Sequence, residues 1–436
     1  MAPMPVITDS AFADGVADVR GGRATAADAA AALVDMLTDA ELCWLLDGDI
    51  AVLPGLRRMA AGYGTEPFIA GRLDRLGIPG VRLTDGPRGV AAGQATSFPV
   101  PIARAATWDT ALEQRIGAAI GIEARAAGAN LVAAPCVNLA PAPGWGRSQE
   151  SYGEDSVLIG AMGAALVAGL QPSVMACVKH YALNSMEEAR FRVDVRVSDA
   201  DLHELYLPHF RTALAAADAV MTAYNKVNGT WAGENASLLT TVLRDEWGFP
   251  GLVLTDFIWG LRDPIGSLLA GQDIEMPFRQ QRASTLPAAL AGTDAAAAEV
   301  RTAARTSARR ILTAQIGLAA RLGPAPDADG AVAAHRSLAR DAAARSMVLL
   351  RNTEIDGVRM LPLNLSPVGR LAVVGRLADA ANLGDIASSR VRPPSTVSAL
   401  AGLRQRWGEQ VVTIDASDRT AGATGRRSRG AADPRG

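Results

Sequence analysis

Short runs of uninterrupted apolar residues, each ending in polar or charged side chains, recur along most of this chain. Leu252, Val253 and Leu254 run into Thr255 and Asp256; the run from Val174 to Val178 ends in Lys179, His180 and Tyr181; a third ends at Tyr224 and Asn225. A run without polar alternation is a strand covered on both faces, the kind found in parallel sheets flanked by helices. Helical patterns stand between the runs, at 108–128, 154–169, 198–217 and 238–247, and a long alanine-rich one follows at 293–318. A further short strand is expected at 271–277. Strand, loop and helix in alternation place the chain in the α/β class. The spacing favours a TIM-type (β/α)8 barrel over residues 1–322. A doubly wound sheet competes, but no GxGxxG opens any helix here.

A chain of 436 residues exceeds one ordinary domain. The proline- and glycine-rich stretch 323–330 reads as a linker. Beyond it, residues 331–415 hold a helix at 333–344, strands at 346–351, 371–375 and 411–414, and a helix at 398–407. These units open an α/β sandwich domain without completing it, so exposed apolar surface, a homo-oligomer and proteolysis near the linker are expected. Residues 416–436 reduce to alanine, glycine, arginine and aspartate with little else, and read as a disordered tail.

The net charge of −2, spread along the chain, gives no electrostatic case for nucleic acid or a membrane surface as partner. Neither a leader pattern nor a run of membrane-spanning length is read, so a cytoplasmic protein is expected. Cys43, Cys136 and Cys177 are few, odd in number and far apart, which fits packing roles in a reducing compartment. No histidine or cysteine spacing suggests a metal, and no cofactor motif is found.

In a barrel of parallel strands the chemistry sits at the strands' C-terminal ends. Asp256, Lys179, His180 and Tyr224 all fall there, and Asp85 follows a short strand at 81–83. Arg147 lies in the loop after the strand at 130–139, freed by Gly144 and Gly146. Taken singly, Asp256 is a helix N-cap, Asp85 a turn residue and Arg147 a surface cation. Their convergence on one barrel face reverses that order.

Side by side, six stretches resemble glycoside hydrolase family 3, the family of many β-glucosidases. They are Asp85-Gly-Pro-Arg-Gly, the run from Gly146 and Arg147 to Asp155, Lys179-His180-Tyr181, the run from Ala223 to Gly229, the run from Leu243 to Phe249, and Thr255-Asp256-Phe257. The resemblance covers roughly residues 35 to 415. It implies a (β/α)8 barrel followed by an α/β sandwich, a carbohydrate substrate of the β-glucoside type, and Asp256 as the catalytic nucleophile. It also implies that Asp85, Arg147, Lys179 and His180 grip sugar hydroxyls, that Tyr224 lies beside the nucleophile, and that Gly384-Asp385 and Ser388-Ser389 form a loop over the pocket. Lys179, Arg147 and His180 are expected to hold the Asp256 pKa low.

Three departures stand out. Phe257 replaces the usual tryptophan, Pro141 a frequent arginine, and the loop after His180 lacks the histidine pattern of the β-N-acetylhexosaminidase branch. The family's acid/base carboxylate has no match, since neither Glu354 nor Glu409 corresponds, and the second domain reads as truncated. Two other readings stay open: a sugar-binding protein that has lost catalysis, and a barrel lyase using Lys179 as a Schiff base.

Overall fold

The apolar runs become strands. The computed structural model describes residues 9–324, 326–366, 369–384 and 387–414. Six strands lie side by side in chain order: β1 (Phe68–Ala70), β2 (Val81–Asp85), β3 (Leu131–Ala133), β4 (Met175–Tyr181), β5 (Ala219–Thr222) and β6 (Leu252–Leu254). From β2 to β6 every pairing is parallel, with Asp85 opposite Ala133 and Met221 opposite Leu254. The polar residues that end these strands therefore emerge together on one rim.

Both faces of the sheet are buried, which is why the runs carry no alternation. Leu83, Leu131, Cys177, Met221 and Leu254 point into one apolar cluster. Their neighbours Val132, Val178, Val220 and Val253 point into another, against helices such as Thr110–Ala126 and Ser156–Leu170.

The sheet has six strands where eight were expected, and β1 runs antiparallel to β2. Two irregular stretches carry the ring onward. Ile274 bridges Leu254, the Glu275 amide donates to the Leu46 carbonyl (3.0 Å), the Arg279 amide donates to that of Ile50 (2.8 Å), and Gly48 bridges Ala70. The strand expected at 271–277 is thus reduced to single bridges. Pro277 has no N–H to offer a ladder. The two stretches also pass so closely that a Cβ on Gly48 would stand 2.5 Å from the Pro277 carbonyl oxygen.

Asp273 fastens this irregular stretch to its surroundings. Its wholly buried carboxylate accepts from the Val253 amide (2.8 Å), the Ser307 hydroxyl (2.8 Å), Arg244 (3.1 Å) and Arg310 (3.1 Å). Burial pushes the Arg244 guanidinium down to about 10 even though Asp273 opposes it. Asp273→Ala strands two cations and two neutral donors at once. Removing one partner of a buried ion pair costs about 3–5 kcal/mol, so a large fall in the urea midpoint of unfolding is expected; a variant as stable as the parent would refute the role.

Residues 1–30 are polar and alanine-rich with little periodicity before Ala30, yet two helices form at Ala11–Arg20 and Ala26–Asp35, capped by Ser10 and Thr25. Alanine on both faces leaves little contrast for a periodic pattern to show.

The chain divides into two compact units, Met1–Met347 with Asp385–Arg392, and Val348–Gly384 with Pro393–Gly436. Helix Ala328–Arg345 belongs to the first: Ala342 is wholly buried in its core, and His335 Nδ1 lies 2.8 Å from the Glu123 carboxylate. The boundary thus falls after this helix rather than at 323–330. The second unit contains a parallel pair, β7 (Leu371–Val374) and β8 (Val411–Ile414), and the helix Ala399–Trp407. The strand expected at 346–351 does not form. Leu350 is 91% exposed and Val348 and Leu349 are 62% exposed, because no partner strand flanks them among the described residues. The proposed tail at 416–436 and Asp385 lie outside the described residues.

Candidate active site

The parallel register brings all six residues singled out above, Asp85, Arg147, Lys179, His180, Tyr224 and Asp256, to the wall of one cavity of about 260 Å³. Asp85, at the end of β2, is held through both oxygens: Lys179 Nζ donates to Oδ1 (2.9 Å) and the Tyr63 hydroxyl donates to Oδ2 (2.6 Å). Burial works to discharge the Lys179 ammonium and Arg147 adds to it, but the Asp85 and Glu150 charges with the Asp85 hydrogen bond together prevail, and the pKa ends above its ordinary value. Lys179 is a fixed cation. Tyr63 keeps its proton, since burial and then the Asp85 charge hold its pKa well above 10.

Arg147 and Glu150 form a second closed pair, with Nη2 2.8 Å and Nε 3.3 Å from the two carboxylate oxygens. Each holds the other charged against burial, Arg147 above its usual pKa and Glu150 below.

His180 is built differently. The Asn138 side-chain amide donates to the His180 carbonyl (2.8 Å), which fixes its oxygen toward the His180 amide (2.9 Å) and Nδ1 (3.1 Å). An amide oxygen can only accept, so the Nδ1 contact is a hydrogen bond in the tautomer with its proton on Nδ1, which leaves Nε2 bare toward the cavity. Burial, then the Arg147 and Lys179 charges, lower the His180 pKa well below 6.5. It is a neutral acceptor.

Asp256 follows β6. Its Oδ1 accepts from the Phe257 amide (2.7 Å). Its Oδ2 is buried, accepts no hydrogen bond among the described residues, and lies 3.6 Å from His180 Nε2. Beside it the Tyr224 hydroxyl donates to the Phe257 carbonyl (2.7 Å). The expectation of a low pKa is overturned. Burial raises the Asp256 pKa above 3.8 despite Arg147, the Phe257 amide, Lys179 and Tyr224, and a neutral His180 adds no positive charge.

A measurable consequence follows for pH. A raised carboxyl pKa means the ionised form is lost earlier as pH falls. Any reaction that needs the Asp256 carboxylate should therefore show an acid limb above the ordinary value of 3.8. Arg147→Met removes the foremost group opposing burial and should move that limb further up. The pH dependence of covalent labelling at Asp256 measures both, and a limb at or below the ordinary value would count against the assignment.

Tyr63, Arg190 and Trp259 are among the lining residues that carried no role from sequence. Tyr63 stands between Gly62 and Gly64, outside any apolar run. Arg190 pairs with Glu187 (2.7 Å) and lies over the rings of Phe191 and Tyr224 at 4.8 Å each. Ser388, from the expected loop, also reaches the cavity wall. Its segment is anchored by Arg392, which donates to the carbonyls of Tyr63 (2.7 Å) and Ala91 (2.9 Å). Among the described residues no group of three or more His, Cys, Asp or Glu side chains is placed to hold a metal ion, and no helix is long and apolar enough to cross a membrane.

Residues 69–314 match the glycosyl hydrolase family 3 N terminal domain. The chain is 40% identical over 362 residues to a beta-glucosidase of Rhizobium radiobacter, covering 78% of this chain and 42% of that protein. It is 33% identical over 363 residues to thermostable beta-glucosidase B of Acetivibrio thermocellus, covering 78% and 45%. Among solved structures, beta-glucosidase 3B from Thermotoga neapolitana in complex with glycerol aligns with a TM-score of 0.75 at 30% identity, over 88% of this chain and 55% of that one. DesR, a beta-glucosidase from Streptomyces venezuelae in complex with D-glucose, aligns with a TM-score of 0.77 at 28% identity, over 88% and 49%. The chain spans about half the length of these relatives. With the family's N-terminal domain matched over more than half of its residues, this chain belongs to glycosyl hydrolase family 3.

Proposed function

We propose that the protein is a retaining β-glycosidase that acts on β-glucosides through a covalent glycosyl-enzyme on Asp256. One observation carries the reading: each oxygen of Asp85 already accepts a hydrogen bond and Arg147 is paired with Glu150, whereas Asp256 Oδ2 is buried at the cavity and accepts no hydrogen bond among the described residues. A buried carboxylate oxygen left without donors is a reactive nucleophile.

In the first step Oδ2 attacks the anomeric carbon while the glycosidic bond breaks and the leaving oxygen keeps the bonding pair. In the second, water attacks the same carbon, its proton passes through solvent to the oxyanion released in the first step, and the bond to Oδ2 breaks to free the sugar with Asp256 restored as carboxylate. The bare Nε2 of His180 accepts from one sugar hydroxyl, Lys179 donates to another, and the Asp85 carboxylate, already bound by two donors, accepts from a third through its remaining lone pairs. The cavity lies just below the usual ligand-site range of about 300–1,000 Å³, which suits one sugar ring. The beta-glucosidases among its relatives support the choice of sugar. Its three free cysteines accord with a cytoplasmic setting.

The lyase alternative needs an uncharged amine, and the Asp85 pair keeps Lys179 protonated. Incubation with an activated 2-deoxy-2-fluoro-β-glucoside, followed by mass spectrometry of the peptides, tests the proposal. Label on Asp256 supports it; label on Asp85 or Asp273 refutes the assignment. Reversible glucose binding with no label favours a sugar-binding protein.

A further inference from the structure

We propose that Arg392 is a positioning residue for the sugar: it clamps the turn that carries Tyr63, and through the Tyr63 hydroxyl it holds the Asp85 carboxylate in its accepting orientation. This rests on the β-glycosidase reading and adds to that site a residue that does not itself line the cavity.

Tyr63 has little of its own to fix it. It belongs to no strand or helix and stands between Gly62 and Gly64, the latter at a φ of 65°. Glycine on each side leaves the backbone many conformations. The hydrogen bond from its hydroxyl to Asp85 Oδ2 (2.6 Å) therefore depends on something that holds the main chain in place. Phe68 flanks the ring, tilted at 56° with centroids 5.8 Å apart, and gives packing without direction.

Arg392 supplies the hold from 329 residues further along the chain. Its Nη2 donates to the Tyr63 carbonyl (2.7 Å), and its Nη1 to the carbonyls of Ala91 (2.9 Å) and, at longer range, Gly64 (3.4 Å). The guanidinium thus spans the turn and the loop that follows β2. That loop is the fixed side. The Ala91 amide donates to the Asp85 carbonyl (3.0 Å), and the Ala92 amide to the Thr84 hydroxyl (3.2 Å). Gly64 lies so close to the loop that a Cβ there would stand 3.3 Å from the Ala91 Cβ. Arg392 is itself seated. The Ala95 amide donates to its carbonyl (3.1 Å), and Val391 before it is buried, 3.2 Å from where a Cβ on Gly89 would stand. A planar fork of donors rooted in this way sets two loops against each other, which a single point donor does not.

Asp85 is where this reaches the sugar. With Lys179 on Oδ1 and Tyr63 on Oδ2, the lone pairs that remain for a sugar hydroxyl point in a fixed direction. With Tyr63 out of register, the carboxylate is free to turn about its bond to Lys179.

A double-mutant cycle tests the proposal by calorimetry, with 1-deoxynojirimycin, a piperidine carrying the hydroxyl pattern of glucose, as the probe. Tyr63→Phe should weaken binding roughly five- to tenfold, and Arg392→Met by a similar factor, because both release Asp85 Oδ2. In the Tyr63→Phe background, Arg392→Met should weaken it by less than about twofold more, since the group it positions is already gone. Arg392→Lys keeps a donor without the fork and should fall between the parent and Arg392→Met; it carries the same cycle if the methionine variant does not fold. A merely structural arginine would weaken binding by the same factor in both backgrounds. That result, an Arg392→Met protein that binds as tightly as the parent, or a chain that folds with neither substitution, overturns this inference and leaves the β-glucoside reading intact. Failure of the parent to bind the probe overturns both.

Discussion

Asp256→Asn is expected to abolish turnover of aryl β-glucosides and all covalent labelling, while the protein becomes more resistant to unfolding at neutral pH. An amide cannot form the glycosyl-enzyme, and loss of a nucleophile costs roughly 10⁴–10⁶-fold in rate. Stability moves the other way for a reason visible in the site. The folded-state pKa of Asp256 is raised by burial, so the folded protein binds this proton more tightly than the unfolded chain does. The stability this contributes is present below the unfolded pKa and is lost as pH rises through the folded value. At neutral pH the ionised, under-bonded Oδ2 is a liability, and a neutral amide of the same shape relieves it. Kinetics with a nitrophenyl glucoside and thermal melts at pH 7 test both halves. An Asp256→Asn protein that still turns over, or that melts far below the parent, would defeat the account.

The second expected result concerns the leaving group. Among the described residues the carboxylates that line the cavity are Asp85 and Asp256. Both oxygens of Asp85 already accept hydrogen bonds, from Lys179 and from Tyr63. General-acid assistance is typically worth about 10²–10⁴-fold. For the 436-residue chain a sugar or alkyl leaving group should therefore depart very slowly, and cellobiose should be nearly inert. A dinitrophenolate leaves unaided, so its glucoside should still load Asp256. With no further carboxylate lining the cavity among the described residues to activate water, the time course should be a burst followed by slow turnover. Azide attacks without a base and should speed the slow phase, with glucosyl azide as product. Brisk hydrolysis of cellobiose with no burst and no azide effect would show that another carboxylate serves. Glu187 is then the first to substitute: burial raises its pKa, one oxygen pairs with Arg190 (2.7 Å), and the other is buried without a partner.

What was legible in the chain follows from what burial leaves in a sequence. Leu252 to Leu254 and Met175 to Val178 are apolar throughout because both faces of the sheet are covered, so their polar ends marked the rim directly. Tyr63 belongs to no strand or helix, and nothing in Gly62-Tyr63-Gly64 signals that its hydroxyl meets Asp85. The charge state of the site was misjudged because sequence displays neighbouring charges but not desolvation. Arg147 and Lys179 do oppose the burial of Asp256, yet burial prevails, and it also discharges His180. Residues 346–351 have the pattern of a buried strand, but a strand needs sheet neighbours, and β7 and β8 pair only with each other among the described residues.

The way the ring is completed has a consequence for how it breathes. From β2 to β6, each strand is stitched to the next by several parallel bonds, whereas the stretches around Leu46–Ile50 and Ile274–Arg279 meet through isolated ones. Amide protons at Glu275 and Arg279 should therefore exchange with deuterium through local opening, well before those of Val178 or Val220. The Asp256 turn is tied to this seam, because the Ile258 amide donates to the Met276 carbonyl (3.2 Å). The Asp256 carboxylate thus sits where a stiff wall meets a looser seam, and a ligand bound beside it should slow exchange along that seam.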